Sequence, residues 1–281
     1  MQPHLELIRE HQKTIWNNFS PGWEKWDEFN MRFLQPMGEA IIEYLQVKED
    51  DIVLDIATGT GEPGLKIASL AKRGKVWGTD LSENMLAIAS EHAAARGVKN
   101  YLTKVADVCE LPFEDESFDA VSCRMGFMFF PDMDLAAREM FRVLKKGGRM
   151  AASVWGTPDK NPWIGAIMNV LGKYIELPAP PPGAPGMFRC SHPGLMSGLF
   201  VQAGFKNCAE RGLGGMVNYG TAELYWQNML EVAAPVVFAL AKAGEATKSL
   251  IKRDLFELLH AKCPAGPLAL GYAAIIFYGE K

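Results

Sequence analysis

Between Asp51 and Trp155 five apolar segments, "DIVLDIA", "KVWGTD", "YLTKVAD", "FDAVSCRM" and "GGRMAASVW", alternate with stretches of helical periodicity. Strand and helix in strict turn require right-handed crossovers, so the segments predict a parallel, doubly wound α/β sheet whose ligands meet the carboxyl ends of the strands. After Trp155 the alternation stops. "FKNCAERGLGG" and "LALGYAAIIFYGE" are the two remaining strand segments, most simply an antiparallel pair completing a seven-stranded, mostly parallel Rossmann-like sheet with its last strand antiparallel.

The remaining segments read as a helical cap. Apolar positions at Leu5, Ile8, Ile15, Trp16 and Phe19 predict a helix that stops at Ser20-Pro21-Gly22, and a second helix is predicted over Met31 to Tyr44. "SPGWEKWDEF" between them spaces Trp23, Trp26 and Phe29 three apart, either as packing of this arm on the core or as a lid over a ligand. "GTPDKNPWIGAIMNVLGKYI" reads as helical, "ELPAPPPGAPGMF" as a proline-rich loop, and Lys242 to Lys262 as an amphipathic helix. The expected division is an N-terminal arm over 1–50, a ligand-binding core over 51–156, and a cap insertion with the last strands over 157–281.

The chain has 281 residues, 48% of them hydrophobic, with 29 basic and 33 acidic residues and a net charge of −4. That balance supplies no electrostatic footprint for nucleic acid. "MQPHLELIREHQK" lacks the apolar block of an export signal, and "LALGYAAIIFY" is about half of what a membrane-spanning helix needs, so a cytoplasmic protein without a membrane span is expected. Cys109, Cys123, Cys190, Cys208 and Cys263 form no Cys-x-x-Cys pair and read as reduced thiols; no metal is expected.

The strand ends carry the chemistry. Gly59-x-Gly61-x-x-Gly64 in "VLDIATGTGEPGL" suits many nucleotide-like ligands and selects none. Asp55 narrows the choice, because a carboxylate beside a pyrophosphate costs energy whereas an ammonium or sulfonium is stabilised by it. Thr58, Gly59, Thr60 and Gly61 offer small residues and backbone groups for close approach. Asp80, about twenty residues on, is placed to accept from ribose hydroxyls, and Asp107, or the Val108 backbone, to meet the exocyclic amine of an adenine. Each aspartate could instead be a helix cap or turn residue. An adenosine with a cationic amino-acid end is S-adenosylmethionine.

On these residues the chain resembles the class I S-adenosylmethionine-dependent methyltransferases. "VLDIATGTGEPG" is similar to their first motif, "GTDLSENML" to the second-strand acidic motif, "ADVCELPFEDESFDAV" to the third and fourth strands and "MFRVLKKGGRM" to the entry of the fifth. Within the class the ubiquinone/menaquinone biosynthesis C-methyltransferases are most similar. The resemblance implies that Asp55 and Gly59 to Gly61 serve the methionine end, Asp80 and Leu81 the ribose, Asp107 and Val108 the adenine, and Arg124 the methionine and reactive centre, with Thr58 and Met85 also among the cofactor-binding residues. Arg124 could equally be a partner of Asp132 or Asp134.

Methyl transfer needs the acceptor in line with the S–CH₃ bond and a base only if the acceptor must lose a proton. Of His4, His11, His92, His192 and His260, only His192 lies in a segment expected to reach the pocket, so Arg124 and His192 are the catalytic candidates; Tyr219 and Tyr225 are further possibilities. No Asn/Asp-Pro-Pro-aromatic tetrapeptide is present, and the cap is rich in Met, Leu, Phe and Trp with few basic residues. These features predict a small, neutral, partly apolar acceptor, a quinol, phenol or isoprenoid-like molecule methylated on carbon or oxygen. Two other readings stay open: a protein that binds S-adenosylmethionine without transferring methyl, and an NAD-linked oxidoreductase, which Asp55 and the lack of a Tyr-x-x-x-Lys pair disfavour.

Overall fold

The protein, analysed as a computed structural model, is described for residues 3–177, 181, 183–264 and 266–281; residues 178–180 and 182 of the proline-rich stretch lie outside the described residues. Seven strands form one sheet: β1 (Ile52–Ile56), β2 (Lys75–Asp80), β3 (Tyr101–Val105), β4 (Phe118–Arg124), β5 (Leu144–Trp155), β6 (Lys206–Gly220) and β7 (Leu268–Glu280), in the order β3-β2-β1-β4-β5-β7-β6. Strands β1 to β5 are parallel, and β7 inserts antiparallel between β5 and β6. Strands β1 and β4 are buried along nearly their whole length, as parallel strands covered on both faces must be. The order reverses between β1 and β4, which opens a crevice at their carboxyl ends.

Helices α3 (Gly64–Leu70), α4 (Glu83–Ala95) and α5 (Met133–Val143) fill the crossovers. Ser82 caps α4 by accepting from Met85 N–H at 3.1 Å, and Asp132 caps α5 by accepting from Leu135 N–H at 2.9 Å, so the ends of these helices are fixed by local side-chain chemistry. After β5 come α6 (Pro162–Leu171), α7 (Leu195–Ala203), α8 (Ala222–Val232), α9 (Ala234–Leu240) and α10 (Glu245–Lys262). Of these, α7 packs on α5, β6 and β7, while α8, α9 and α10 join α6 in the cap. Phe200 of α7 is buried against Phe127, Phe205 and Phe277.

The N-terminal arm departs from the expected pattern. Helix α1 (Pro3–Lys25) runs through Ser20-Pro21-Gly22, and α2 (Asp27–Leu45) begins four residues earlier than its periodicity suggests. Pro21 cannot donate to the Asn17 carbonyl one turn back, but the Ser20 hydroxyl at 2.8 Å and the Asn84 amide at 3.3 Å do, so the freed acceptor is satisfied and the helix continues. Gly22 is required by contact: a Cβ there would stand 2.0 Å from the Glu231 carbonyl oxygen of α8. Helix α2 then crosses the sheet, giving Leu34 and Met37 to one core and Ile41 and Leu45 to the other. Its Phe33 meets Trp155, Trp163 and Tyr272, tying the arm to β5, α6 and β7.

Candidate functional site

Register builds the first part of the site. The pairing of β1 with β4 sets Asp55 beside Ser122, whose hydroxyl donates to Oδ1 at 2.6 Å. Oδ2 accepts from the Thr58 hydroxyl at 2.6 Å and from Gly64 N–H at 3.0 Å. Thr58 has spent its only proton on Asp55, so Tyr101, 2.8 Å away, donates to Thr58 in turn. A Cβ on Gly64 would lie 2.7 Å from Asp55 Oδ2, which is why the third glycine of the motif has no side chain. Burial pushes the Asp55 carboxyl up to about 6 against the pull of these hydrogen bonds. The expectation that this carboxylate meets a cationic ligand is therefore revised: Asp55 is fully buried, and both its oxygens are engaged in holding the turn.

Asp80 and Asp107 present themselves differently. Asp80 is half-buried; Oδ2 accepts from Gly59 N–H at 3.0 Å and Oδ1 from Ser82 N–H at 2.9 Å, leaving lone pairs on both oxygens. Gly59 is left-handed, with φ of +56°, and nothing lies within 4 Å of where its Cβ would be. Asp107, two residues beyond β3, accepts from Cys109 N–H through Oδ1, while its buried Oδ2 has no hydrogen-bond partner and lies 3.9 Å from Arg9 Nη1. Burial raises the carboxyls of both Asp80 and Asp107. Asp107 Oδ2 thus has the Arg9 charge nearby and acceptor capacity that no hydrogen bond among the described residues uses. Leu81 is half-buried, and Met85 and Val108 are buried in the adjoining core.

Arg124 ends β4 and makes no ion pair within 4.0 Å, with Asp132, Asp134 or any other carboxylate, among the described residues. Its guanidinium donates to Met31 Sδ of α2 at 3.3 Å and stands in the field of Glu62, Asp55 and Asp27, while burial lowers its pKa. His192 is exposed ahead of α7, its Nδ1 3.2 Å from the Pro193 carbonyl. The histidine that reaches the glycine turn is His92 of α4, an unexpected participant: Nδ1 is 2.9 Å from the Thr60 carbonyl and Nε2 4.0 Å from Asp27. Asp27 also accepts from the Thr60 hydroxyl at 3.0 Å. No sequence motif marks His92, since its role depends on α4 lying beside the turn.

The arm closes this end of the sheet. Lys13 bonds Glu83 at 2.7 Å, and Asn17 Oδ1 accepts from the Ser82 hydroxyl at 2.6 Å. Beyond that polar seam the surface turns aromatic. Trp16 packs edge-on against Phe129 and Trp23, Phe29 lies 5.0 Å from the Tyr219 ring, and Tyr219 lies 4.8 Å from Tyr225. Tyr225 donates its hydroxyl to the Trp163 carbonyl at 2.8 Å; the buried Tyr219 hydroxyl has no partner. No cluster of three or more His, Cys, Asp or Glu side chains placed for a metal ion occurs among the described residues, and no helix there is long and apolar enough to cross a membrane.

A family model described as a methyltransferase domain matches residues 53–148. A demethylmenaquinone methyltransferase of Thermus thermophilus is 33% identical over 188 residues, covering 62% of this chain and 80% of that protein. A Listeria monocytogenes protein of the same name is 28% identical over 172 residues, covering 60% of this chain and 72% of that one. Among solved structures, the YcgJ protein from Bacillus superposes with a TM-score of 0.59 at 19% identity, covering 88% of this chain and 98% of that one. A Haemonchus contortus phosphoethanolamine N-methyltransferase in complex with S-adenosyl-L-methionine gives 0.52 at 20% identity over 88% of this chain and 52% of that one, a likeness of fold. With the glycine turn, the strand-end carboxylates and the seven-stranded order already in place, the chain belongs to the class I S-adenosylmethionine-dependent methyltransferases of the quinone-methyltransferase type.

Proposed function

We propose that this methyltransferase acts on carbon or oxygen of a small neutral ring compound, a quinol or phenol, held between the arm and the cap. The observation that carries the reading is the aromatic lining of the arm, where Trp16 meets Trp23 and Phe129 and Phe29 meets Tyr219. Its Trp16, Trp23 and Phe29 lie on the same arm that brings Met31 to Arg124 at the end of β4. Aromatic walls favour a flat apolar ring, and the acceptor in the names of the two relatives, a demethylmenaquinone, is of that class. With a net charge of −4, nucleic acid is outside this reading.

The residues at the strand ends fit the cofactor. Asp80, with lone pairs to spare, would accept from the ribose hydroxyls, and the orphaned Asp107 Oδ2 would accept from the adenine amine. The open face of Gly59 would admit the ligand to the backbone, and Arg124, without an ion pair, would take the methionine carboxylate or an acceptor oxygen. Asp55 acts one step removed, by fixing Thr58 and Gly64. When bound, S-adenosylmethionine supplies a methyl group already activated by its sulfonium, so the protein's work is to position and to exclude water.

S-adenosylhomocysteine release should be measured with hydroquinones, naphthols and catechols beside amines, peptides and oligonucleotides. Turnover concentrated on the ring compounds is expected. Robust turnover of a peptide or oligonucleotide with none of the ring compounds would contradict the reading.

A further inference from the structure

Buried donors without partners gather where the arm meets the cap. Asn30 Nδ2 of α2, Tyr219 Oη at the end of β6, Asn228 Nδ2 of α8 and Trp23 Nε1 of α1 have no hydrogen-bond partner among the described residues. The first three residues are 4%, 4% and 2% exposed, so bulk water does not serve them. A chain of contacts brings them together. Phe29, beside Asn30, packs on Tyr219, which packs on Tyr225 of α8. One turn after Tyr225 on the buried face of α8 comes Asn228, and one turn later Glu231 accepts from the Trp26 indole at 2.8 Å while its backbone presses on Gly22, next to Trp23. Asn30 in turn sits one turn beyond Trp26, donating its N–H to the Trp26 carbonyl at 2.8 Å. Asn228 thus lies between Glu231, which meets the segment that carries Trp23 and Asn30, and Tyr225, which reaches that segment through Tyr219.

A buried polar group left unpaired costs roughly 1–3 kcal/mol, and several at one junction are a burden that the fold itself does not need. All four atoms are donors. Burial, then the neighbouring Tyr225, holds the Tyr219 hydroxyl well above its ordinary pKa, so it keeps its proton at neutral pH. Four donors without partners, walled by aromatic rings, complement a flat ligand that presents oxygen acceptors. Met31, adjacent to Asn30, receives the Arg124 guanidinium, so the junction borders the reactive end of the cofactor site.

We propose that Asn30, Tyr219 and Asn228, with the Trp23 indole, determine acceptor specificity by donating hydrogen bonds to the ring oxygens of a quinol. This inference rests on the ring-acceptor reading above and assigns its site.

The test uses 1,4-naphthohydroquinone as acceptor and follows S-adenosylhomocysteine release at saturating S-adenosylmethionine in the whole chain. Tyr219→Phe and Asn228→Leu should each raise the acceptor KM roughly tenfold, the loss of about one hydrogen bond to a desolvated donor, and leave the KM for S-adenosylmethionine within about twofold. Their melting temperatures should equal or exceed that of the wild type, because each change deletes a buried unpaired group. If wild type turns over the naphthohydroquinone and both variants keep its KM, the inference is wrong while the ring-acceptor reading stands. A lowered melting temperature in Tyr219→Phe with unchanged KM points to the same conclusion, that the hydroxyl serves the fold. Failure of the wild type on every ring compound, with turnover of amines or peptides, overturns the reading and the inference with it.

Discussion

The turn after β1 and the junction of arm and cap are both buried and polar in part, yet they are built on opposite terms. At the turn, Asp55 gathers three donors, from Ser122, Thr58 and Gly64, and Tyr101 completes the set; nothing in that network awaits a ligand. At the junction, Asn30, Tyr219, Asn228 and Trp23 keep donors that no group among the described residues meets. The contrast separates two jobs that buried polar residues do. A satisfied network holds backbone N–H groups in place for a ligand it does not touch, whereas an unsatisfied one is shaped for a ligand that completes it. Asp107 stands between the two, with one oxygen bonded to Cys109 and the other 3.9 Å from Arg9 Nη1 without a hydrogen-bond partner among the described residues.

The sharpest way to break the contrast is Asp55→Ala. It strands the Ser122 and Thr58 hydroxyls and the Gly64 N–H together, so a stability loss of about 2–4 kcal/mol and the loss of measurable S-adenosylmethionine binding are expected. Chemical denaturation and calorimetry read both. An intact turn with near-normal affinity would show that the network is dispensable.

Acidity offers a second handle. The Asp55 carboxyl is pushed up to about 6, above its unfolded value near 3.8, so its protonated form is favoured by folding. Its contribution is fully present below about pH 4 and is lost as the pH rises through about 6, amounting to roughly 3 kcal/mol. Asp80 and Asp107, also raised by burial, act with the same sign. Relative to Asp55→Asn, wild-type stability from denaturant titrations should fall between pH 4 and pH 7. Parallel curves would mean that Asp55 titrates as an ordinary surface acid.

Asp80→Ala probes the open side of the turn. Losing a charged acceptor should weaken cofactor binding by about 1.5–3 kcal/mol with the fold intact, as judged by calorimetry and circular dichroism. An unchanged affinity would reduce Asp80 to a turn residue holding Gly59 and Ser82.

Gly22→Ala is aimed at the seat of the arm. Alanine favours a helix, but its Cβ would meet the Glu231 carbonyl at 2.0 Å, so the contact is expected to win and α1 to lift from α8. Faster proteolysis near Ser20 to Lys25 and a raised acceptor KM should follow. Equal proteolysis and an unchanged KM would place the acceptor elsewhere.

What could be read from the sequence follows the same division. The strands, the glycine turn and the strand-end aspartates are local features, a few residues whose pattern states their geometry. The arm was harder because Ser20-Pro21-Gly22 carries stop signals that tertiary contacts overrule: Ser20 and Asn84 satisfy the carbonyl that Pro21 frees, and Glu231 needs the bare Gly22. The short helices α7, α8 and α9 have weak patterns of their own and are set by what they pack on. Asn30 and Asn228 look in sequence like ordinary polar helix positions, His92 like a surface residue, and Arg124 equally like a reactive-centre group or a partner for Asp132 or Asp134. Only the assembled fold shows two of these as orphans, one against the turn and one unpaired.

The most direct test of this division crosses the two regions in one experiment. KM values for S-adenosylmethionine and for 1,4-naphthohydroquinone are measured in wild type, Asp80→Ala, Tyr219→Phe and the double variant. Asp80→Ala should raise only the cofactor KM, Tyr219→Phe only the acceptor KM, and the double variant should show both effects added to within about 0.5 kcal/mol, as independent sites do. A Tyr219→Phe effect on the cofactor KM as large as that on the acceptor, or an Asp80→Ala effect confined to the acceptor, would contradict the assignment of the strand ends to the cofactor and of the arm and cap to the ring.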